Sequence, residues 1–267
     1  MAAMALFAAC DKIEEENYIT FSGAAGTWYD GTGVADKSQR AFIEKYTGPG
    51  CFNCPMGEEK ITDALAKYGE KLVAVSVHDS SSFGRPLAKD APDMRTPDGE
   101  KWSAEFNGSS RQLPSAMVNR GEIFNPVGGV EQQIDPVLAQ SAKVAMEVSC
   151  ASTGKEAAIT VNLEFLENVS EPLNITLVLI ESGIVAPQMM PDHTKNEEYV
   201  HNHILRDVIT DVWGAEVDAD GKAGTKRYAV FPYTVENEEW NLENCQIIAF
   251  ISNRSTKAVL NVAECEF

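Results

Sequence analysis

Two cysteines separated by two residues, Cys51-Phe52-Asn53-Cys54-Pro55, stand between a run that reads as a strand and a run that reads as a helix, and that order limits the folds open to the chain. Upstream, Arg40-Ala41-Phe42-Ile43-Glu44-Lys45-Tyr46 is aromatic and branched enough for a short strand, and Thr47-Gly48-Pro49-Gly50 breaks it before the first thiol. Downstream, residues 58–68 place Ile61, Ala64, Leu65 and Tyr68 on one helical stripe, which Gly69 closes. Leu72-Val73-Ala74-Val75-Ser76-Val77 then reads as a buried strand. The order strand, dithiol, helix, strand puts Cys51 near a helix N-terminus, where unpaired amides and the macrodipole favour a thiolate over a thiol.

This is the place where a thioredoxin-type fold carries its dithiol. After a loop-rich stretch over residues 79–99 and a short helix near 100–106, Gln112-Leu113-Pro114-Ser115 precedes a strand over 116–120. A proline in that position matches the cis-proline that holds backbone against the thiols in such folds, so Leu113-Pro114 is expected to be cis and to lie beside Cys51. The alternative is a trans proline opening an edge strand. Residues 128–145 supply a closing helix, with Val130, Ile134, Leu138 and Ala142 available for packing.

The chain of 267 residues is long for one small domain, and its 44% hydrophobic share is enough for packed cores. A formal net charge of −18 repels phosphate backbones and anionic headgroups, which argues against a nucleic-acid partner. No apolar run approaches the roughly 20 residues a spanning helix needs. The first nine residues are all Met, Ala, Leu or Phe and end in Phe7-Ala8-Ala9 before Cys10, small residues ahead of a cysteine as in a bacterial lipobox. Residues 1–10 are thus expected to be a lipoprotein signal remnant. Processing would make Cys10 the first mature residue, acylated and anchored in the outer membrane. The run is short and lacks a basic segment, and the alternative is an apolar N-terminus with a chance cysteine. Residues 11–35 follow as an acidic and polar tether with one edge strand near 18–21.

The pattern is mixed helix and strand over residues 36–145 and almost wholly strand-like over 146–267. Candidate strands in the second part are 144–150, 157–166, 173–184, 201–208, 226–232, 245–251 and 258–265. The fold class expected is therefore α/β plus all-β: a thioredoxin-like domain followed by an immunoglobulin-like β-sandwich.

At this point the chain resembles the Omp28-related outer-membrane lipoproteins of Bacteroidetes. The matching residues are Phe42-Ile43-Glu44-Lys45-Tyr46-Thr47-Gly48, then Gly50-Cys51-Phe52-Asn53-Cys54-Pro55, Leu113-Pro114-Ser115 with Val118-Asn119-Arg120, and Tyr199-Val200-His201-Asn202-His203-Ile204-Leu205-Arg206 with the terminal strand. The resemblance runs from the tether to the C-terminus. It implies an outer-membrane location, outward-facing on an acyl anchor, and surface binding or adhesion to an unidentified protein or glycan partner. Asp11-Lys12-Ile13-Glu14-Glu15-Glu16 looks like the surface-export tag of such lipoproteins.

Six cysteines occur, one of them Cys10. Cys51 and Cys54 are expected to form a reversible disulfide, since a pair closing so short a loop adds little as a staple. If it is a redox site, the Cys51 thiolate attacks a substrate disulfide and Cys54 resolves the mixed disulfide, with Pro114 beside them and Glu44 as the buried acid for the Cys54 proton. The opposing reading is a retained scaffold with an inert disulfide. A second bridge, Cys245 to Cys265, follows from one hairpin register; a one-residue slip pairing Ile247 with Val262 would separate the sulfurs, and Cys150 to Cys265 is the rival. His201 and His203, with Glu197 or Glu198, lack a third ligand element, so hydrogen bonding is expected of them and no metal. Asp218-Ala219-Asp220-Gly221 reads as a turn rather than a calcium loop. No phosphate-binding glycine loop occurs, and no cofactor is expected.

Overall fold

The computed structural model describes residues 26–79, 82–107 and 112–267. The signal remnant with Cys10, most of the tether and the strand expected near 18–21 lie outside the described residues. The first strand among the described residues is β1 (Trp28–Asp30), an edge strand inside the stretch expected to be tether. Its Trp28 is buried against the Phe231 ring, 6.5 Å away, and its indole donates to the Glu216 carbonyl at 2.9 Å.

Next come β2 (Ala41–Thr47), α1 (Cys54–Tyr68), β3 (Leu72–His78), α2 (Pro97–Trp102), β4 (Ser115–Val118) and α3 (Glu131–Leu138). Thr96 caps α2 by accepting from the Gly99 amide, and a π-helical turn over Ser103–Asn107 continues it. Helix α3 is shorter than the 128–145 expected because it carries Pro136 and the chain already turns into strand at Val144. The second half holds β5 (Val144–Thr153), β6 (Glu156–Phe165), β7 (Leu173–Glu181), β8 (Ile184–Met189), β9 (Lys195–His201), β10 (Ile204–Val208), β11 (Ala215–Glu216), β12 (Lys226–Thr234), β13 (Cys245–Asn253) and β14 (Val259–Glu266). The single strand expected over 201–208 is broken by His203, whose φ of 58° turns the chain between β9 and β10.

The strands form an eight-stranded sheet of order β14-β13-β7-β10-β3-β2-β4 with β11 on β7, a four-stranded sheet of order β1-β12-β6-β5, and the separate hairpin β8–β9. The large sheet runs across the 145/146 change of pattern. Its halves meet where β10 pairs in parallel with β3 at Ile204 and Ser76, and the Ser76 amide donates to the His203 carbonyl at 2.7 Å. One face of this sheet is continuous: Phe42, Tyr46, Val75, Val178, Ile248 and Phe250 pack with Trp102 of α2. The other face is divided. Helices α1 and α3 cover Ala41, Ile43 and Ala74 at one end. At the other, the four-stranded sheet packs Ile159, Val161, Leu163 and Phe231 onto Ile175, Leu177, Ile247 and Ala249. Beside the helix layer lies a seam lined by Lys45, Glu58, His78 and Ile204, which Gln188, Tyr199 and His201 of the β8–β9 hairpin cover.

Candidate functional site

Strand β2 delivers the chain to the dithiol, and Gly48-Pro49-Gly50 turns it so that Cys54 opens α1 with Pro55 in the first turn. Cys51 and Cys54 are disulfide-bonded, with Cα atoms 5.4 Å apart. The Leu113–Pro114 peptide is cis. Its ring meets α1 at Gly57, where a Cβ would stand 3.2 Å from Pro114 Cγ and 2.9 Å from Pro126 Cγ. Glycine at this position lets two proline rings press onto the first turns of the helix.

The disulfide is covered from two sides. The Gly50 amide donates to the Phe83 carbonyl at 2.8 Å, which holds the segment after β3 over the turn. From the second half of the chain, the Met189 amide donates to the Pro49 carbonyl at 2.8 Å and Gln188 Nε2 donates to the Cys51 carbonyl at 3.0 Å. The His193 ring at the hairpin tip lies 4.6 Å from that of Phe52. Cys51 is 5% and Cys54 3% exposed as a result.

Behind Cys54 the seam contains a small cavity of about 10 Å³, walled by Lys45, Glu58, His78, Gln188, Tyr199 and His201. That volume admits no more than about one water molecule, and no organic ligand. Lys45 and Glu58 form a buried ion pair. Glu58 sits four residues after Cys54, so the two share one side of α1. Burial pushes the Lys45 ammonium down to about 7. His78 is buried, and neither ring nitrogen has a hydrogen-bond partner. Its pKa falls well below 6.5, first through burial and then through the charges of His201, Lys45 and Arg206. His201, its ring 5.8 Å from that of His78, is held at about 4 chiefly by burial, and its Nε2 lies 3.3 Å from the Ala186 carbonyl. Burial likewise holds His203 at about 4. Chemically, a proton-exchanging lysine and neutral imidazoles back Cys54.

Glu44 does not join this group. Alternation along β2 turns it to the opposite face, where it accepts from the Tyr46 hydroxyl and from Arg120 Nε at 2.9 Å. The Arg120 guanidinium is itself stacked 4.6 Å from Trp102, 4.9 Å from Phe106 and 4.8 Å from Phe250. The residue that faces the dithiol helix is Lys45, one position on. Because both faces of β2 are buried, hydrophobic pattern gave no phase by which to choose between them.

The expected bridge between Cys245 and Cys265 is absent, and both are free thiols, as is Cys150. A bulge between Ile251 and Ser252 sets a register in which Cys265 opposes Ile247 and Val262 opposes Phe250. Cys245 therefore lies beyond Cys265 and bonds through its carbonyl to the Phe267 amide at 3.2 Å. Burial raises both thiols to about 12, with Cys150 adding to the effect on Cys265. His201 and His203 stand on different segments, and no group of three or more His, Cys, Asp or Glu residues among the described residues is placed to hold a metal ion.

The family model for outer membrane protein Omp28 matches residues 103–266, more than half of the chain. Among solved structures, HBP35 of Porphyromonas gingivalis superposes with a TM-score of 0.66 at 16% identity, covering 88% of this chain and 77% of that one. A protein of Agrobacterium tumefaciens superposes with a TM-score of 0.53 at 16% identity, over 86% of this chain and 95% of that one. A domain of the outer membrane lipoprotein Omp28 from Porphyromonas gingivalis aligns over 47% of this chain and 88% of its own at 21% identity, with a TM-score of 0.34. The first two likenesses are of fold. No curated protein matches the chain at significant similarity.

Proposed function

The chain belongs to the outer membrane protein Omp28 family, and from that premise we propose that it is a lipid-anchored, outward-facing binding protein whose dithiol is a structural element. In this reading the unit β2–α1–β3–β4 is a thioredoxin-like domain, and the four-stranded sheet packed on β7, β13 and β14 is an immunoglobulin-like sandwich. The anchor is an acylated Cys10, supported by the small residues before it. The partner is an unidentified protein or glycan.

The observation that carries the proposal is the closure of the disulfide. A partner protein's disulfide must approach a sulfur in line for exchange, and here both cysteines are buried, with Phe83 and the β8–β9 hairpin bonded to the backbone of residues 49–51. A second reading, an extracytoplasmic thiol–disulfide oxidoreductase, draws its support from the Lys45–Glu58 pair and His78 behind Cys54, which could supply the proton that a departing Cys54 thiolate takes up. Insulin reduction separates the two: the binding reading expects no turnover above that of a Cys51→Ser variant, and turnover abolished by Cys51→Ser would establish the enzyme. Palmitate labelling lost in Cys10→Ala tests the anchor, and protease shaving of intact cells tests the orientation.

A further inference from the structure

Beside the roof of the dithiol, a groove of about 610 Å³ runs between the first turns of α1 and strand β9, with Met56, Glu59 and Asp63 on one wall and Met190, Glu198 and Val200 on the other. Tyr199, which turns inward toward the small cavity, lines the groove together with the outward Glu198 and Val200. Side chains from both faces of one strand line a common groove when it follows the edge of that strand. Strand β9 pairs with β8 alone among the described residues, in a two-stranded sheet, so its other edge offers backbone groups to a further strand, apart from the Glu198 amide, which donates to Asn196 Oδ1 at 3.0 Å and would have to exchange that bond.

The walls state what such a strand should carry. Met56 and Met190 are adaptable apolar contacts, and Val200 is 48% exposed, an apolar side chain left for a neighbour to cover. The rim is acidic: Glu59 and Asp63 have mainly exposed side chains, with Lys60 4.0 Å from each. Glu198 adds a further charge, whereas Glu197 is already paired with Lys195 at 2.8 Å.

Taking the binding reading above as its basis, we propose that this groove takes an extended basic peptide segment of a partner protein, added as a third strand to the free edge of β9. Its apolar side chains lie between Met56, Met190 and Val200, and its lysines or arginines meet Glu59, Asp63 and Glu198. Main-chain pairing supplies the affinity, and alternate side chains supply the selection.

The test titrates the full-length protein with a peptide of about nine residues alternating lysine and valine. Two controls accompany it, the glutamate–valine counterpart and the lysine–valine peptide N-methylated at alternate backbone nitrogens. The expected result is binding of the basic peptide at or below about 1 mM, weakened by salt, with new protection of β9 amides in hydrogen exchange. Methylation should weaken it by about tenfold or more, since it removes the strand-pairing donors while keeping the charge. The double variant Glu59→Lys, Glu198→Lys should lose the basic peptide by a similar factor and bind the acidic one. Equal binding of the methylated peptide, protection elsewhere than β9, or no binding at millimolar concentration would each overturn the proposal, and the first and last are measured on the unaltered protein. Failure here with an insulin-inactive dithiol removes the groove alone, whereas an insulin-active dithiol removes the binding reading beneath it.

Discussion

Two ion pairs are buried one residue apart on β2, and they differ in almost everything but burial. Glu44 meets Arg120 inside a box of Trp102, Phe106 and Phe250, with Tyr46 donating to the same carboxylate. Lys45 meets Glu58 in the polar seam beside His78, His201 and the disulfide. A guanidinium stays charged at any relevant pH, so the first pair can only be kept or broken. A lysine held at about 7 can shed its charge, so the second pair responds to pH. The same strand thus carries a fixed brace on one face and a titratable group on the other, and only the second lines a cavity with Cys54.

The largest effect expected is on the brace. Arg120→Ala should cost about 3–5 kcal/mol in chemical denaturation, since it strands a buried carboxylate. Glu58→Gln should cost less, about 1–3 kcal/mol, and its cost should be greatest near pH 6 and shrink toward pH 9. The sign follows from Lys45: its pKa is about 7 folded against 10.5 ordinarily, so between those values the unfolded chain holds more protons and stability attributable to this group rises with pH. A pH-independent cost for Glu58→Gln would erase the contrast.

Gly57→Ala should cost about 1–3 kcal/mol in thermal or denaturant unfolding, because its methyl would meet the Pro126 and Pro114 rings. His201 contributes a smaller, separable slope. It is held at about 4 against an ordinary 6.5, so the unfolded state binds its proton first and stability should fall as pH drops through that window. His201→Gln should flatten that fall, which a melting-temperature series from pH 7 to 4 would reveal. The smallest effect concerns the sandwich: Cys265→Ala should leave electrophoretic mobility under oxidising conditions unchanged, since Cys265 is not bridged.

Much of the frame was legible from local pattern. The strand, dithiol, helix and strand order around Cys51 emerges as β2, α1 and β3, and Leu113–Pro114 is cis. Local pattern could not phase β2, whose seven residues are all buried, and so Glu44 stood where Lys45 belongs. Nor could it foresee the bulge after Ile251 that sets the cysteine register, or the turn at His203 that splits one expected strand into β9 and β10. The cover over the disulfide is the least legible feature. Gln188 and Cys51 lie 137 residues apart in the chain, and nothing in the composition of either segment announces that they meet.

The central claim, that the disulfide is closed to exchange in the folded protein, is most directly tested by treating the native protein with dithiothreitol, quenching with iodoacetamide and locating alkylated cysteines by mass spectrometry. If the disulfide is closed, Cys51 and Cys54 become alkylated only at the rate of unfolding, and faster in a Gln188→Ala variant that loosens the hairpin. Prompt alkylation of both in the unaltered, folded protein would contradict it.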